Sequence, residues 1–159
     1  MITWRLATRR FATVLDGGGN RETGARWNSG RGRGVVYTSL NVSTCVLETF
    51  VHFGPSLRVN LPDNFALVCL DVPDDAGMLV INREDIPPDP DTPGDQGRSW
   101  YQRTGDAWLE AADKLALSAP SAIIPQDRNL MLNPDHSRMR NVRILSVEPF
   151  RFDARLASR

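Results

Sequence analysis

GARWNSGRGRGVVYTSLNVSTCVLETFVHF, residues 24–53, is the stretch that decides how this chain is read. It opens as a loop rich in glycine and arginine. It becomes a short β-branched strand over 35–38 that carries Tyr37, and continues as an amphipathic helix that carries Glu48. Asn41 offers an N-cap. Val42, Cys45, Val46, Thr49, Phe50 and Phe53 then recur at i, i+3, i+4, i+7, i+8 and i+11, the stripe of a helix with one face on a core. Gly54-Pro55 stops that helix. Glu48 falls off the centre of the stripe, toward Thr44 and His52, so it can border a cleft while the stripe anchors its helix. Seven of the twelve glycines lie between Gly17 and Gly34. Packing alone does not require so many in one loop; they point to repeated positive φ or a backbone that comes close to something.

Upstream, residues 2–7 alternate around Trp4 and Leu6 as a first strand, and 8–15 form a helical turn or an irregular connection. The loop over 16–34 spaces Arg21, Arg26, Arg31 and Arg33 through its glycines. Downstream, 65–72 (FALVCLDV) is a continuous apolar run, the pattern of a central strand, and 78–81 is another strand. Residues 84–99 interleave Pro87, Pro88, Pro90 and Pro93 with Asp85, Asp89, Asp91 and Asp95: a mobile acidic loop or an active-site flap rather than a domain linker. Residues 100–113 read as a helix with Tyr101, Trp108, Ala111 and Ala112 on one side, weakened near its start by Gly105. A strand over 115–119 is interrupted by Pro120. Residues 121–124 resume as another, closed by Pro125. Residues 129–132 lead to a turn at Asn133-Pro134, and 142–152 form a long late strand. Strands and helices mix without regular βαβ alternation, so the expected class is α+β, a single domain over residues 1–159.

With 159 residues, 41% hydrophobic and 24% charged, the chain is long enough for one sizeable core. Basic and acidic residues balance to a net charge of zero, which gives no support to nucleic-acid or membrane attraction by overall charge. The basic side is almost entirely arginine, Lys114 being the only lysine. Cys45 and Cys69 fall in core elements and read as buried free thiols. No metal-ligand spacing is present, and His52 and His136 stand apart, so no metal is expected. The N-terminus has no apolar signal region and no run is long enough to span a bilayer, which makes a cytoplasmic protein the expectation.

Four residues could carry chemistry. Arg26 reads either as a fork of donors that holds a pyrophosphate or as a solvated loop arginine. Tyr37 could stack on a planar ring or be a half-buried strand residue. Glu48 could stabilise a developing positive charge or be the solvated edge of its helix. Ser121 is held rigidly beside Pro120, either as part of the site or as a structural turn serine, with no histidine–aspartate partner to make it a nucleophile. The loop fits neither GxxxxGK[ST] nor a strand–GxGxxG–helix unit. Taken together, the four suit cleavage of the glycosidic bond to nicotinamide, which creates an oxocarbenium-like ribose that a fixed carboxylate stabilises. Asp153 and Arg155 read as a structural ion pair.

At these residues the sequence resembles the RES domain family, the toxins of RES–Xre toxin–antitoxin pairs. The resemblance rests on WRL at 4–6, GARWN at 24–28, VVYTS at 35–39, LET at 47–49, GDAWL at 105–109, PSAIIP at 120–125, LNPDH at 132–136 and PFRFDARL at 149–156. It implies an ADP-ribosyltransferase-like α+β fold, with mixed β-sheets and flanking helices around an NAD cleft. It implies a toxin that degrades NAD by hydrolysis or phosphorolysis of the nicotinamide bond, with protein ADP-ribosylation as the alternative. A non-catalytic nucleotide-binding module is the reading from a different class. The family arginine, tyrosine, glutamate and serine fall on Arg26, Tyr37, Glu48 and Ser121. On that footing Arg26 holds the pyrophosphate or ribose side, Tyr37 stacks near nicotinamide, Glu48 stabilises the ribosyl cation, and Ser121 orients the ribose or amide. The implied partner is a helix-turn-helix antitoxin of Xre type that covers the cleft, with room for a homodimer or a larger complex and no direct nucleic-acid binding by this chain. Ala25 stands where the family often has a second glycine, and Arg31 and Arg33 are additions. The glycines then read as the flexible wall beside Arg26.

Overall fold

The structure, a computed structural model, describes residues 1–54, 59, 61–94 and 97–157. Pro55 and Asp95, named above in the helix stop and the acidic loop, lie outside the described residues. Among the described residues seven strands are present: β1 (Ile2–Thr8), β2 (Val36–Ser39), β3 (Phe65–Asp71), β4 (Met78–Val80), β5 (Ala116–Pro120), β6 (Arg128–Leu132) and β7 (Arg143–Phe150). They form one mixed sheet in the order β4-β5-β6-β2-β1-β3-β7. Only β4 and β5 run parallel; the other neighbours are antiparallel. Helix α1 (Val42–Phe50) follows β2 and helix α2 (Trp100–Ala111) precedes β5. The architecture is α+β, as the unpatterned mixture of elements implied, with one sheet in place of several.

The sheet is nearly two sheets. Between β2 and β1 a single pair, Ser39 opposite Trp4, carries the register. The buried Thr3 hydroxyl reinforces that seam, reaching Thr38 Oγ1 at 2.7 Å and the Ser39 carbonyl at 2.9 Å. Helix α1 lies across it. Cys45 and Phe53 pack with Leu6, Phe65 and Phe152 on the β1–β3 side, as the apolar stripe predicts. The other edge of α1 meets the β5–β6 connection. The helix is shorter than its stripe: after Phe50 the chain tightens, with the Phe53 amide bonded to the Phe50 carbonyl at 3.0 Å. Asn41 sits at the N-cap but makes no side-chain cap; its Nδ2 donates to Asp127 Oδ1 at 2.8 Å instead.

Strand β3 is interior, one place from the edge, with Val68 and Leu70 fully buried. Two segments depart from expectation. Residues 121–124 are not a strand. Pro120 ends β5, and the Ser121 hydroxyl accepts the amides of Ile123 (3.1 Å) and Ile124 (3.0 Å), groups that a strand would have paired with a neighbour. Strand β6 instead occupies 128–132, where only the approach to a turn was read. It is buried on both faces, Leu130 and Leu132 in one core and Met131 in the other. Five residues with a polar start and no alternation carry no strand period. In α2, Ala111 and Ala112 are exposed rather than on the packed side, and Ala112 closes the helix in the left-handed region at φ 49°. Gly105 has a positive reason to be there: a Cβ at that point would lie 1.9 Å from the Trp27 carbonyl oxygen. The glycine lets α2 press onto the backbone beside Arg26. Cys45 and Cys69 are buried free thiols, and Asp153 and Arg155 pair at 2.8 Å on the surface. Among the described residues no helix is long and apolar enough to cross a membrane.

Candidate active site

Arg26, Tyr37, Glu48 and Ser121 all line one cleft of ≈ 1440 Å³. That exceeds the ~300–1,000 Å³ usual for small-molecule sites. Its walls are the glycine loop, the seam end of the sheet, the outer edge of α1, the turn after β5, and Pro87, Pro88 and Pro90 from the acidic loop.

The four residues form two groups within the cleft. In the first, Glu48 Oε1 accepts three hydrogen bonds: from Ser121 Oγ at 2.6 Å, from Asn129 Nδ2 at 2.6 Å and from the Ala122 amide at 3.2 Å. Its second oxygen, Oε2, accepts none among the described residues. Ser121 is 3% exposed, and its hydroxyl is fully used, donating to Glu48 and accepting two amides. From the cleft wall it holds the carboxylate in place. Asn129 was not singled out in the sequence, because its segment read as the lead-in to a turn.

The second group is built on the loop. The Tyr37 hydroxyl accepts the Trp27 amide at 2.9 Å and donates to Asn28 Oδ1 at 3.2 Å. Burial pushes its phenol well above the usual tyrosine range, so it stays protonated and can make that donation. The Arg26 guanidinium stacks 4.5 Å from the centre of the Tyr101 ring and lies 3.8 Å from an Asp91 carboxylate oxygen. Its side chain is 41% exposed and lines the cleft. Arg33 approaches Glu110 at 3.9 Å, and Arg31 is exposed with φ 55°.

The loop is not a slack wall. Asn28 is completely buried and donates to the carbonyls of Asn20 (2.9 Å) and Arg33 (2.8 Å). Asn20 brackets Val35 with its side chain at 2.8 and 2.9 Å. Arg21 ties the Gly32 and Asp16 carbonyls to Asp135. The expected positive φ occurs at Gly17, Gly24, Gly30 and Gly32. Gly30 shows why: a Cβ there would meet the Glu22 carbonyl oxygen at 2.4 Å. The glycines let the loop fold back on itself and be stitched shut, which presents Arg26 from a fixed base.

Comparison with known proteins bears on the family and the fold. A family model described as the RES domain matches residues 2–153. The curated protein Toxin Res of Yersinia enterocolitica (serotype O:8 / biotype 1B) is 32% identical over 159 residues, covering 98% of this chain and 99% of that one. The Prs ADP-ribosylating toxin of Sphingobium sp. (strain YBL2) is 32% identical over 164 residues, covering 96% and 94%. Among solved structures, the toxin–antitoxin complex MbcT-MbcA of M. tuberculosis superposes with a TM-score of 0.69 at 17% identity, over 98% of this chain and 85% of that chain. That last likeness is one of fold, and it reproduces the α+β arrangement described above. A match from the first strand to the turn beyond β7, with relatives aligned over nearly their whole length, leads to one conclusion: the chain belongs to the RES domain family.

Proposed function

We propose that this protein is the toxin of a toxin–antitoxin pair and that it cleaves the bond between nicotinamide and ribose in NAD. The observation that carries the reading is Glu48, a cleft carboxylate with one oxygen fixed by three donors and the other accepting none among the described residues. In the reaction the C1′–N1 bond breaks and its electron pair goes to the pyridinium nitrogen, so nicotinamide leaves neutral and needs no strong acid. The ribose is left oxocarbenium-like, and Glu48 stabilises it. At ~4 Å two opposite unit charges attract by about 1 kcal/mol in water and about 4 kcal/mol at an effective dielectric of 20, so a cleft that excludes water favours the step. An acceptor oxygen then bonds to C1′ and releases its proton to solvent. Water gives hydrolysis and inorganic phosphate gives phosphorolysis. Arg26, presented from the stitched loop, binds the pyrophosphate; Tyr37 and Trp27 keep that loop in register.

Purified protein incubated with NAD, with and without phosphate, is expected to release nicotinamide; a folded protein that releases none under either condition refutes the reading. The relative named as an ADP-ribosylating toxin favours a second reading, transfer to a protein. It requires labelled NAD to mark a protein in lysate with little free ADP-ribose. A purely binding role is excluded when Glu48→Ala stays folded and loses the toxic effect. An antitoxin partner of helix-turn-helix type that covers the cleft is part of the proposal. It is supported by the structural neighbour, which was solved as a toxin–antitoxin complex.

A further inference from the structure

Helix α1 is held to the β5–β6 connection and to β6 by two polar clamps. Asp127 takes the first turn, accepting from Asn41 Nδ2 at 2.8 Å and from the Thr44 hydroxyl. Two residues on, Asn129 takes Glu48, one helical turn beyond Thr44, at 2.6 Å. Asn129 is fixed by the sheet: it lies opposite Ser39 of β2 on one side and Ala119 of β5 on the other. Its amide is also fixed in sense. A carboxylate only accepts, so the NH₂ faces Glu48, and the Ser39 hydroxyl donates to Oδ1 at 2.6 Å on the opposite side. The chain Ser39–Asn129–Glu48 therefore runs from the seam strand to the cleft, with each donor and acceptor in one orientation. Together with Ser121 and the Ala122 amide it saturates Oε1.

We propose that Asn129, oriented by Ser39, is a positioning residue for Glu48: it holds Oε1 so that Oε2 alone meets the substrate. The inference rests on the reading of Glu48 as the carboxylate of NAD cleavage. Ser121 and Ala122 pull on Oε1 from the turn after β5, whereas Asn129 pulls from β6. Without the second direction the carboxylate can rotate and offer either oxygen.

The test compares wild type, Asn129→Leu, Asn129→Asp and Ser39→Ala, each established as folded by circular dichroism and thermal melting. Nicotinamide release is followed from mildly acidic to mildly alkaline pH. Asn129→Leu is expected to lose kcat on the order of 10²-fold, the scale for a misplaced catalytic group, with KM unchanged. Asn129→Asp is expected to lose as much at alkaline pH and to regain activity as pH falls, because a proton shared between the two carboxyl groups restores the donor. Ser39→Ala is expected to lower kcat by a smaller factor. Full kcat in Asn129→Leu, or a deficit in Asn129→Asp that is the same at every pH, overturns the proposal. If Asn129→Leu does not fold, the isosteric Asn129→Asp carries the test. One readout is independent of the chemistry. The Asn129 side-chain amide proton should resonate downfield in wild type and move back in Glu48→Ala. An amide proton that ignores Glu48→Ala overturns the positioning role even where NAD is cleaved. Wild-type protein that releases no nicotinamide overturns the reaction and leaves the amide signal to decide the contact.

Discussion

The Tyr37 hydroxyl stands between two backbone-linked neighbours of the loop, accepting from the Trp27 amide and donating to the Asn28 side chain. The strand and the loop that carries Arg26 are thereby one unit. Tyr37→Phe leaves a buried amide and a buried amide oxygen without partners, a loss of ~1–3 kcal/mol. Urea denaturation measures it. In the NAD assay the same change should raise KM more than it lowers kcat, since it loosens the binding wall and leaves the Glu48 clamps intact. An unaltered denaturation midpoint would show that the hydroxyl is not a clamp.

Gly105→Ala inserts a methyl group 1.9 Å from the Trp27 carbonyl. The obstacle is backbone, which cannot swing aside as a long side chain can, so α2 must move off the loop. Overpacking of this kind costs about 1–3 kcal/mol or more, despite the better helix propensity of alanine. A thermal melt at or above the wild-type midpoint would contradict the close approach.

Arg26→Lys keeps the charge but removes the planar fork and its stacking on Tyr101. The side chain is exposed and its ion pair with Asp91 is long, so stability should change by less than ~1 kcal/mol. The effect belongs in NAD binding, read as a raised KM, or as a weaker dissociation constant for a non-cleavable analogue by calorimetry. Unchanged binding would remove Arg26 from the pyrophosphate subsite.

Alkaline pH should destabilise the fold. Burial moves the Cys45 thiol from an ordinary 9.0 up to about 12 and raises the Tyr37 phenol above its ordinary 10.0. Between pH 9.0 and about 12 the unfolded chain has lost the Cys45 proton while the folded chain keeps it, so the folded state binds more protons and stability falls as pH rises. The urea midpoint followed across that window checks the sign, and Cys45→Ala should flatten the decline. A midpoint that rises with pH there would contradict the burial of both groups.

The stripe of α1, the strand at 2–8 and the apolar run of β3 were legible because each has a period or a length that a core dictates, and the late strand was legible from its alternating sequence although the structure leaves it as an exposed edge. Arg26, Tyr37, Glu48 and Ser121 were legible as members of one cleft through motif order. What each hydroxyl does was not. Ser121 and Tyr37 turn out to hold neighbours in place, a fact set by turns and registers that bring distant segments together. Asn129 was hidden for the same reason: its importance comes from Ser39 and Glu48, about ninety and eighty positions away in sequence, and nothing in RNLML announces either. The glycine loop misled in the opposite sense. Glycine suggested slackness, whereas Asn20, Arg21 and Asn28 use the room it gives to bond the loop closed.

The single register pair between Trp4 and Ser39 divides the work of the molecule. Arg26, Tyr37, Glu48, Ser121 and Asn129 all belong to elements on or beside the β4-β5-β6-β2 side, whereas β1, β3 and β7 contribute Leu6 to the cleft wall and a phenylalanine cluster beneath α1. The outer strands thus serve mainly as a support for α1 and the seam. Reporter groups or affinity handles belong on exposed positions of β7 such as Leu145 and Val147, which do not line the cleft.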